Sequence, residues 1–179
     1  MIVDEAYIDF GGETALPLIN KYDNLVVVRT FSKSRSMAGL RIGYAISNSE
    51  LIKALNDVKY SYNSYTMNRP SLVLGVESIR DEAYFREKVG QIIATRERFV
   101  KEIAELGFTC LPSSANFVFA THESIPAKEI FAAAKENNIY VRYFDKPRID
   151  NYLRISIGTD AEMDAFVTFL KGYVETKQN

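Results

Sequence analysis

A chain of 179 residues with 22 Lys and Arg against 23 Asp and Glu, a formal charge of −1, carries no basic footprint for nucleic acid and no polybasic patch for a membrane surface. Apolar residues at 47% and charged residues at 25% match an ordinary globular chain long enough to bury a core. Cys110 is the only cysteine and His122 the only histidine, so an internal disulfide is excluded, a Cys/His zinc cluster is poorly supplied, no metal site is expected and a reducing cytoplasm is the expected compartment.

The opening Met-Ile-Val-Asp-Glu has neither a basic stretch nor a cleavage site, so no signal peptide is expected. No run of eighteen apolar residues suggests a membrane span. Residues 1 to 8 and 24 to 30 read as short strands of the buried kind, Ile2 and Val3 included, with enough chain between them for a parallel crossover. A third strand, 41 to 47, follows after too few residues for such a crossover and is expected to run antiparallel. Ser47-Asn48-Ser49-Glu50 has the form of a capping box, and Leu51, Ile52, Leu55 and Val58 follow at helical spacing.

Beyond a Tyr/Asn/Ser-rich stretch at 60 to 66, helices are predicted at 69 to 80 and 83 to 106. The second lines Phe85, Val89, Ile92, Ile93, Phe99, Ile103 and Leu106 along one face before Gly107 stops it. The pattern then alternates: strands at 108 to 111 and 116 to 120, a helix at 126 to 136 with Pro126 in its first turn, strands at 139 to 143 and 152 to 157, and a helix at 160 to 174 behind the capping box Thr159-x-x-Glu162. Cys110 reads as a small core residue and His122, in a presumed loop, as exposed. The aromatic stretches 60 to 65 and 140 to 144 read as core and pocket lining, since no basic surface accompanies them.

The most informative stretch is Thr30-Phe-Ser-Lys-Ser-Arg-Ser-Met-Ala-Gly-Leu-Arg-Ile-Gly-Tyr44. A lysine flanked by hydroxyls, on a loop between buried strands, with Gly39 and Gly43 allowing close approach, suits an amine presented to an anionic ligand. Ser32 and Arg41 could hold a phosphate there, a planar fork beside a neutral donor. The alternative is a solvated basic loop with turn glycines.

The order of these residues resembles the lysine segment of fold-type I pyridoxal-phosphate enzymes of aminotransferase class I and II. Val3-Asp4-Glu5-Ala6-Tyr7 resembles the strand end that faces the cofactor ring in that superfamily. Together with Tyr62-Asn63, Ser114-Ala115-Asn116-Phe117 and Leu153-Arg154-Ile155-Ser156-Ile157-Gly158, the pattern is most similar to the histidinol-phosphate aminotransferase branch, over essentially the whole chain. The resemblance implies an α/β fold: the carboxy-terminal part of a fold-type I sheet domain followed by a small α+β domain. The expected division is an incomplete cofactor-binding domain at 1 to 82, a connecting helix at 83 to 106 and a carboxy-terminal α+β domain at 107 to 179.

It also implies roles. Lys33 would hold pyridoxal 5'-phosphate and then shuttle the proton of the substrate α-carbon. Asp4 would pair with the ring nitrogen, Tyr7 would donate to the ring oxygen, and Ser32 and Arg41 would contact the phosphate. Arg154 would grip the anionic group of the substrate, because a guanidinium in an apolar strand needs an anion if it points inward. Arg142, Tyr62 and Asn116 are further substrate-pocket candidates.

The implied partners are an amino donor and a 2-oxo acid, with glutamate and 2-oxoglutarate as the donor pair, and a second copy of the chain in a homodimer. The family's phosphate-cradling glycine/serine loop, ring-stacking aromatic and amino-terminal arm have no counterpart here. The chain therefore reads as a carboxy-terminal half, a poor enzyme alone, with an unpaired sheet edge and exposed apolar surface expected. Beside transamination of histidinol phosphate with 2-oxoglutarate in histidine biosynthesis stand three alternatives: another class I/II aminotransferase, a phosphothreonine decarboxylase-like chemistry on the same scaffold, and a noncatalytic oligomerising fragment.

Overall fold

Val-Val-Val-Arg-Thr at 26 to 30 is rich in β-branched residues, which pack well on a pleated surface, and it forms the central strand of the first sheet. The computed structural model describes residues 1 to 178, in two compact units, Met1–Val89 and Gly90–Asn179. In the first unit β1 (Ile2–Asp4) pairs parallel with β2 (Val26–Thr30), with Asp4 opposite Val28, and β2 pairs antiparallel with β3 (Gly43–Ile46), with Thr30 opposite Gly43. Both orientations follow the sequence expectation. The strands are shorter than expected, however, since the segment after Asp4 turns into a 3₁₀ turn at Ile8–Phe10.

Ile2 is 73% exposed and not buried, because β1 lies at the edge of the order β1-β2-β3. Helix α1 (Ser49–Tyr62) is capped by Asn48, whose side chain accepts the Leu51 N–H at 3.0 Å. The expected cap, Ser47, instead donates its hydroxyl to the Leu25 carbonyl. Helix α1 buries none of its residues, and α2 (Arg69–Arg80) buries only Ser71 and Gly75. Ser71 donates to the Leu40 carbonyl at 2.9 Å, and a Cβ at Gly75 would stand 3.0 Å from Ile42 Cδ1, so this helix must carry a small residue there. Leu55, Val58, Leu72, Val73, Leu74, Val76 and Ile79 all stay exposed.

Helix α3 (Glu82–Ala104) runs across the division between the units and ends before Gly107, whose φ of +84° is the left-handed conformation glycine tolerates. The second unit is an antiparallel sheet of order β4-β5-β7-β6: β4 (Phe108–Cys110), β5 (Phe117–His122), β7 (Leu153–Ser156) and β6 (Arg142–Tyr143). Alternation along β5 buries Val118, Ala120 and His122. Against that face pack Phe99 and Ile103 of α3, Ile130 and Ala134 of α4 (Ala127–Glu136), and Met163, Phe166, Leu170 and Val174 of α5 (Asp160–Gln178). The capping box of α5 is formed: Glu162 accepts the Thr159 N–H at 2.8 Å.

Three sequence readings are corrected in this unit. Strand β6 is only two residues long, since Asn138 adopts φ +59° and the Ile139 N–H returns to the Ala134 carbonyl, so 137 to 139 terminate α4 instead of starting a strand. Pro126 is the residue before α4 and not its first-turn residue. His122 is buried: its Nδ1 accepts the Ser124 and Ile125 N–H groups at 3.1 Å, so Nε2 carries the proton and donates to the Leu106 carbonyl at 2.9 Å. Imidazole thus closes both ends of a turn that a loop-based reading left to solvent. Cys110 is half-buried beside this core, and burial pushes its thiol up to about 11.

Leu170 is fully buried among these side chains. Leu170→Ala is expected to lower the unfolding free energy by about 2–5 kcal/mol in urea titration. Cys110 is expected to react with an alkylating reagent at pH 8 far more slowly than in 6 M guanidinium, because little thiolate exists in the folded chain.

Candidate functional site

β1 and β2 are parallel, so their carboxyl ends open on the same edge, and the residues after Asp4 meet the residues after Thr30. The loop from Phe31 to Ile42 is held closed at its base: the Phe31 N–H donates to the Ile42 carbonyl at 3.0 Å and the Met37 N–H to the Phe31 carbonyl at 3.0 Å. Ser36 and Arg41 adopt left-handed backbone, φ +54° and +56°. Ser34 donates to Asp9. The Arg35 guanidinium lies 4.0 Å from the Phe85 ring centroid and donates to the Ser78 carbonyl at 2.5 Å, which pins the loop to α2 and the start of α3. The loop carrying Lys33 is therefore rigidly set.

Lys33 Nζ stands 5.4 Å from the Tyr7 ring centroid, and among the described residues its amine has no hydrogen bond or ion pair. Asp4 is exposed at the end of β1, with Oδ1 accepting the Ala6 N–H at 2.9 Å. The structure thus gathers Lys33, Tyr7 and the Asp4 strand end on one edge. Ser32 is engaged inside its own loop, its N–H donating to Thr30 Oγ1 at 3.0 Å and its Oγ 2.9 Å from the same atom. Arg41 turns back to donate to the Ala38 carbonyl at 3.1 Å. Tyr62 closes α1 at 92% exposure.

Three residues of this edge went unread in the sequence. Glu5, 5% exposed, accepts the Ala15 N–H at 2.6 Å and two bonds from Arg29, Nε at 3.0 Å and Nη2 at 2.8 Å, and Thr14 Oγ1 lies 2.9 Å from both its oxygens. Burial by itself would raise the Glu5 carboxyl; the Ala15, Arg29 and Thr14 bonds outweigh it and hold the group below its ordinary value. The signal was available, since Arg29 is a lone cation in an apolar strand and such a cation needs an anion.

In the second unit Arg142 and Arg154 sit directly opposite each other on β6 and β7. Like charges at opposed positions repel, and a shared anion is the arrangement that relieves them. Arg154 Nε is buried without a hydrogen-bond partner, its guanidinium carbon 4.1 Å from the Phe117 ring centroid. Asn116 is half-buried just before β5, and its carbonyl accepts the Ile157 N–H at 2.9 Å. Beside it, Leu111, Ser113, Ala115, Phe117 and Phe119 line an open groove of about 400 Å³.

The sequence model of the aminotransferase class I and II family matches residues 1–170, and the chain belongs to that family. A histidinol-phosphate aminotransferase of Clostridium botulinum (strain 657 / Type Ba4) is 52% identical over 171 residues, covering 96% of this chain and 48% of that protein. The histidinol-phosphate aminotransferase of Clostridium acetobutylicum superposes with a TM-score of 0.88 at 27% identity, over 98% of this chain and 54% of that one. That of Sinorhizobium meliloti, solved in complex with pyridoxal-5'-phosphate, gives 0.82 at 28% identity over 98% and 48%. The chain spans about half the length of these relatives.

Two outcomes are expected. Arg154→Met removes a buried donor that has no partner, so its unfolding free energy should match the parent within about 1 kcal/mol or exceed it, while any melting-point rise induced by inorganic phosphate disappears. Because the folded value of Glu5 lies below its unfolded value of 4.5, its contribution to stability is complete above that pH and is lost as the pH falls through the folded value. Urea midpoints should therefore drop more steeply between pH 5 and pH 3 in the parent than in Glu5→Gln.

Proposed function

We propose that this chain supplies the lysine-bearing edge and the substrate-anion subsite of a pyridoxal-phosphate-dependent transaminase acting on histidinol phosphate and 2-oxoglutarate. The observation that carries the reading is the Lys33 amine, unpaired among the described residues and 5.4 Å from the Tyr7 ring, on a loop whose base is closed by backbone bonds. The donor set fits the cofactor: an amine, a phenol, an exposed strand-end carboxylate, a hydroxyl and a guanidinium are what an aldehyde, a ring oxygen, a ring nitrogen and a phosphate require. Pyridoxal phosphate, when bound, supplies the aldehyde and the electron-withdrawing ring.

The chain's own residues do the rest. Lys33 Nζ would hold the cofactor through its amine and would serve as the base and acid that moves the substrate α-carbon proton. The Asp4 carboxylate would face the ring nitrogen and favour its protonated form by opposite charge. Tyr7 would orient the ring by its phenol, and Ser32 and Arg41, here bonded to Thr30 and Ala38, would bind the phosphate. Arg154 and Arg142 bind the carboxylate or phosphate that distinguishes the two half-reaction substrates. Asn116 and Tyr62 are assigned to the substrate pocket in the same reading.

A homodimer in the cytoplasm completes the proposal, supported by the uncovered apolar faces of α1 and α2. No helix of the described residues is long and apolar enough to cross a membrane.

Adding pyridoxal phosphate to the chain should produce a visible absorbance band, and borohydride should trap the label on a peptide containing Lys33. Lys33→Ala should abolish both. A folded circular dichroism spectrum with no band and no trapped peptide overturns cofactor binding by this chain. In the full-length protein, glutamate-dependent turnover of imidazole acetol phosphate supports transamination, whereas release of carbon dioxide without amino transfer replaces it with decarboxylation.

A further inference from the structure

Glu5 lies between Asp4 and Tyr7, and its backbone N–H already completes the β1–β2 ladder by donating to the Val28 carbonyl at 2.9 Å. The buried carboxylate does something the ladder does not need. It collects the Ala15 N–H, the Thr14 hydroxyl and both Arg29 donors, and Arg29 Nη2 also donates to Thr14 Oγ1 at 2.9 Å. Thr14 thus receives from Arg29 and gives to Glu5, so the three side chains form a closed circuit.

The mechanical effect is specific. Arg29 precedes Thr30 on the strand that leads directly into the Lys33 loop, while Glu5 is the first residue of the turn that carries Tyr7. That turn also carries the Ile8 N–H to the Glu5 carbonyl at 3.2 Å, the Phe10 N–H to the Tyr7 carbonyl at 3.1 Å and the Ala6 N–H to Asp4 Oδ1 at 2.9 Å. A second tie, Ser34 to Asp9, closes the far side.

We propose that Glu5, through its circuit with Thr14 and Arg29, is a positioning residue that sets Asp4 and Tyr7 against the strand delivering Lys33. The role rests on the cofactor reading above, because it concerns the residues assigned there to the ring. Glu5 touches none of the reacting atoms. Its work is to remove the freedom of the turn on which two of the contacting groups are mounted.

Two measurements on Glu5→Gln, Thr14→Val and Thr14→Ser test this. In amide hydrogen exchange without any cofactor, Glu5→Gln and Thr14→Val should speed exchange at Ala6, Ile8, Phe10 and Ala15 by about tenfold, with β2, β3 and α2 amides unchanged, and Thr14→Ser should behave as the parent. A uniform acceleration across the whole first unit, or a parent-like pattern in Thr14→Val, overturns the proposal in favour of general stabilisation. With pyridoxal phosphate present, the borohydride-trapped fraction on Lys33 should fall severalfold in Glu5→Gln and Thr14→Val and be restored in Thr14→Ser. Trapping at parental levels in all three overturns it as well. If the parent itself traps no label, the cofactor reading fails, and the exchange pattern still decides whether Glu5 orders the Asp4-to-Tyr7 turn.

Discussion

The parallel pairing of β1 with β2 is the constraint on which the candidate site depends. Two parallel strands in register, Asp4 opposite Val28, must end on the same edge, and that edge is where the chain places Asp4, Tyr7 and the Lys33 loop. Had β2 run antiparallel to β1, the lysine would leave from the opposite end of the sheet. The antiparallel return of β3 then closes the loop at Phe31 and Ile42, so the lysine is delivered on a short, doubly anchored span and not on a mobile tip.

Arginine appears in an apolar strand twice, with opposite consequences. Arg29 on β2 finds Glu5 and Thr14 through Nε and Nη2, so it fastens structure. Arg154 on β7 has a buried Nε with no partner and another arginine directly across the ladder. An unsatisfied buried donor is destabilising, and proteins retain such groups where something else gains from them. The same residue type in the same setting is bonded to a carboxylate in one unit and carries a buried donor without a partner in the other, and the difference lies in what the neighbouring segment brings to it.

The strand directions, the helix extents and the α5 capping box were legible in the sequence because each rests on local rules: crossover length, apolar periodicity and the Thr159-Glu162 spacing. Lys33 was singled out because hydroxyls and glycines surround it in an order that resembles the family's lysine segment. His122 was misread because its partners, Leu106, Ser124 and Ile125, accept and donate through the backbone, which leaves no trace in side-chain identity. Residues 139 to 141 looked like strand, but the α4 terminus claims Ile139 for its cap, a contest between neighbouring elements that alternation cannot register. Glu5 was passed over since it sits between two residues of obvious chemistry, and its burial depends on Thr14 and Arg29, 9 and 24 positions away.

Tyr60, Tyr62 and Tyr65 are exposed where α1 gives way to α2, and neither helix covers them. Such an exposed junction between helices is where an aromatic-directed protease gains purchase on a folded chain. A single cut there would leave Asp4, Glu5, Tyr7 and Lys33 on one polypeptide and Arg142 and Arg154 on the other, joined only by contacts such as Arg35 to Ser78 and Ser71 to Leu40. Protection of these tyrosines from digestion becomes a direct gauge of whether some other surface has settled over the junction.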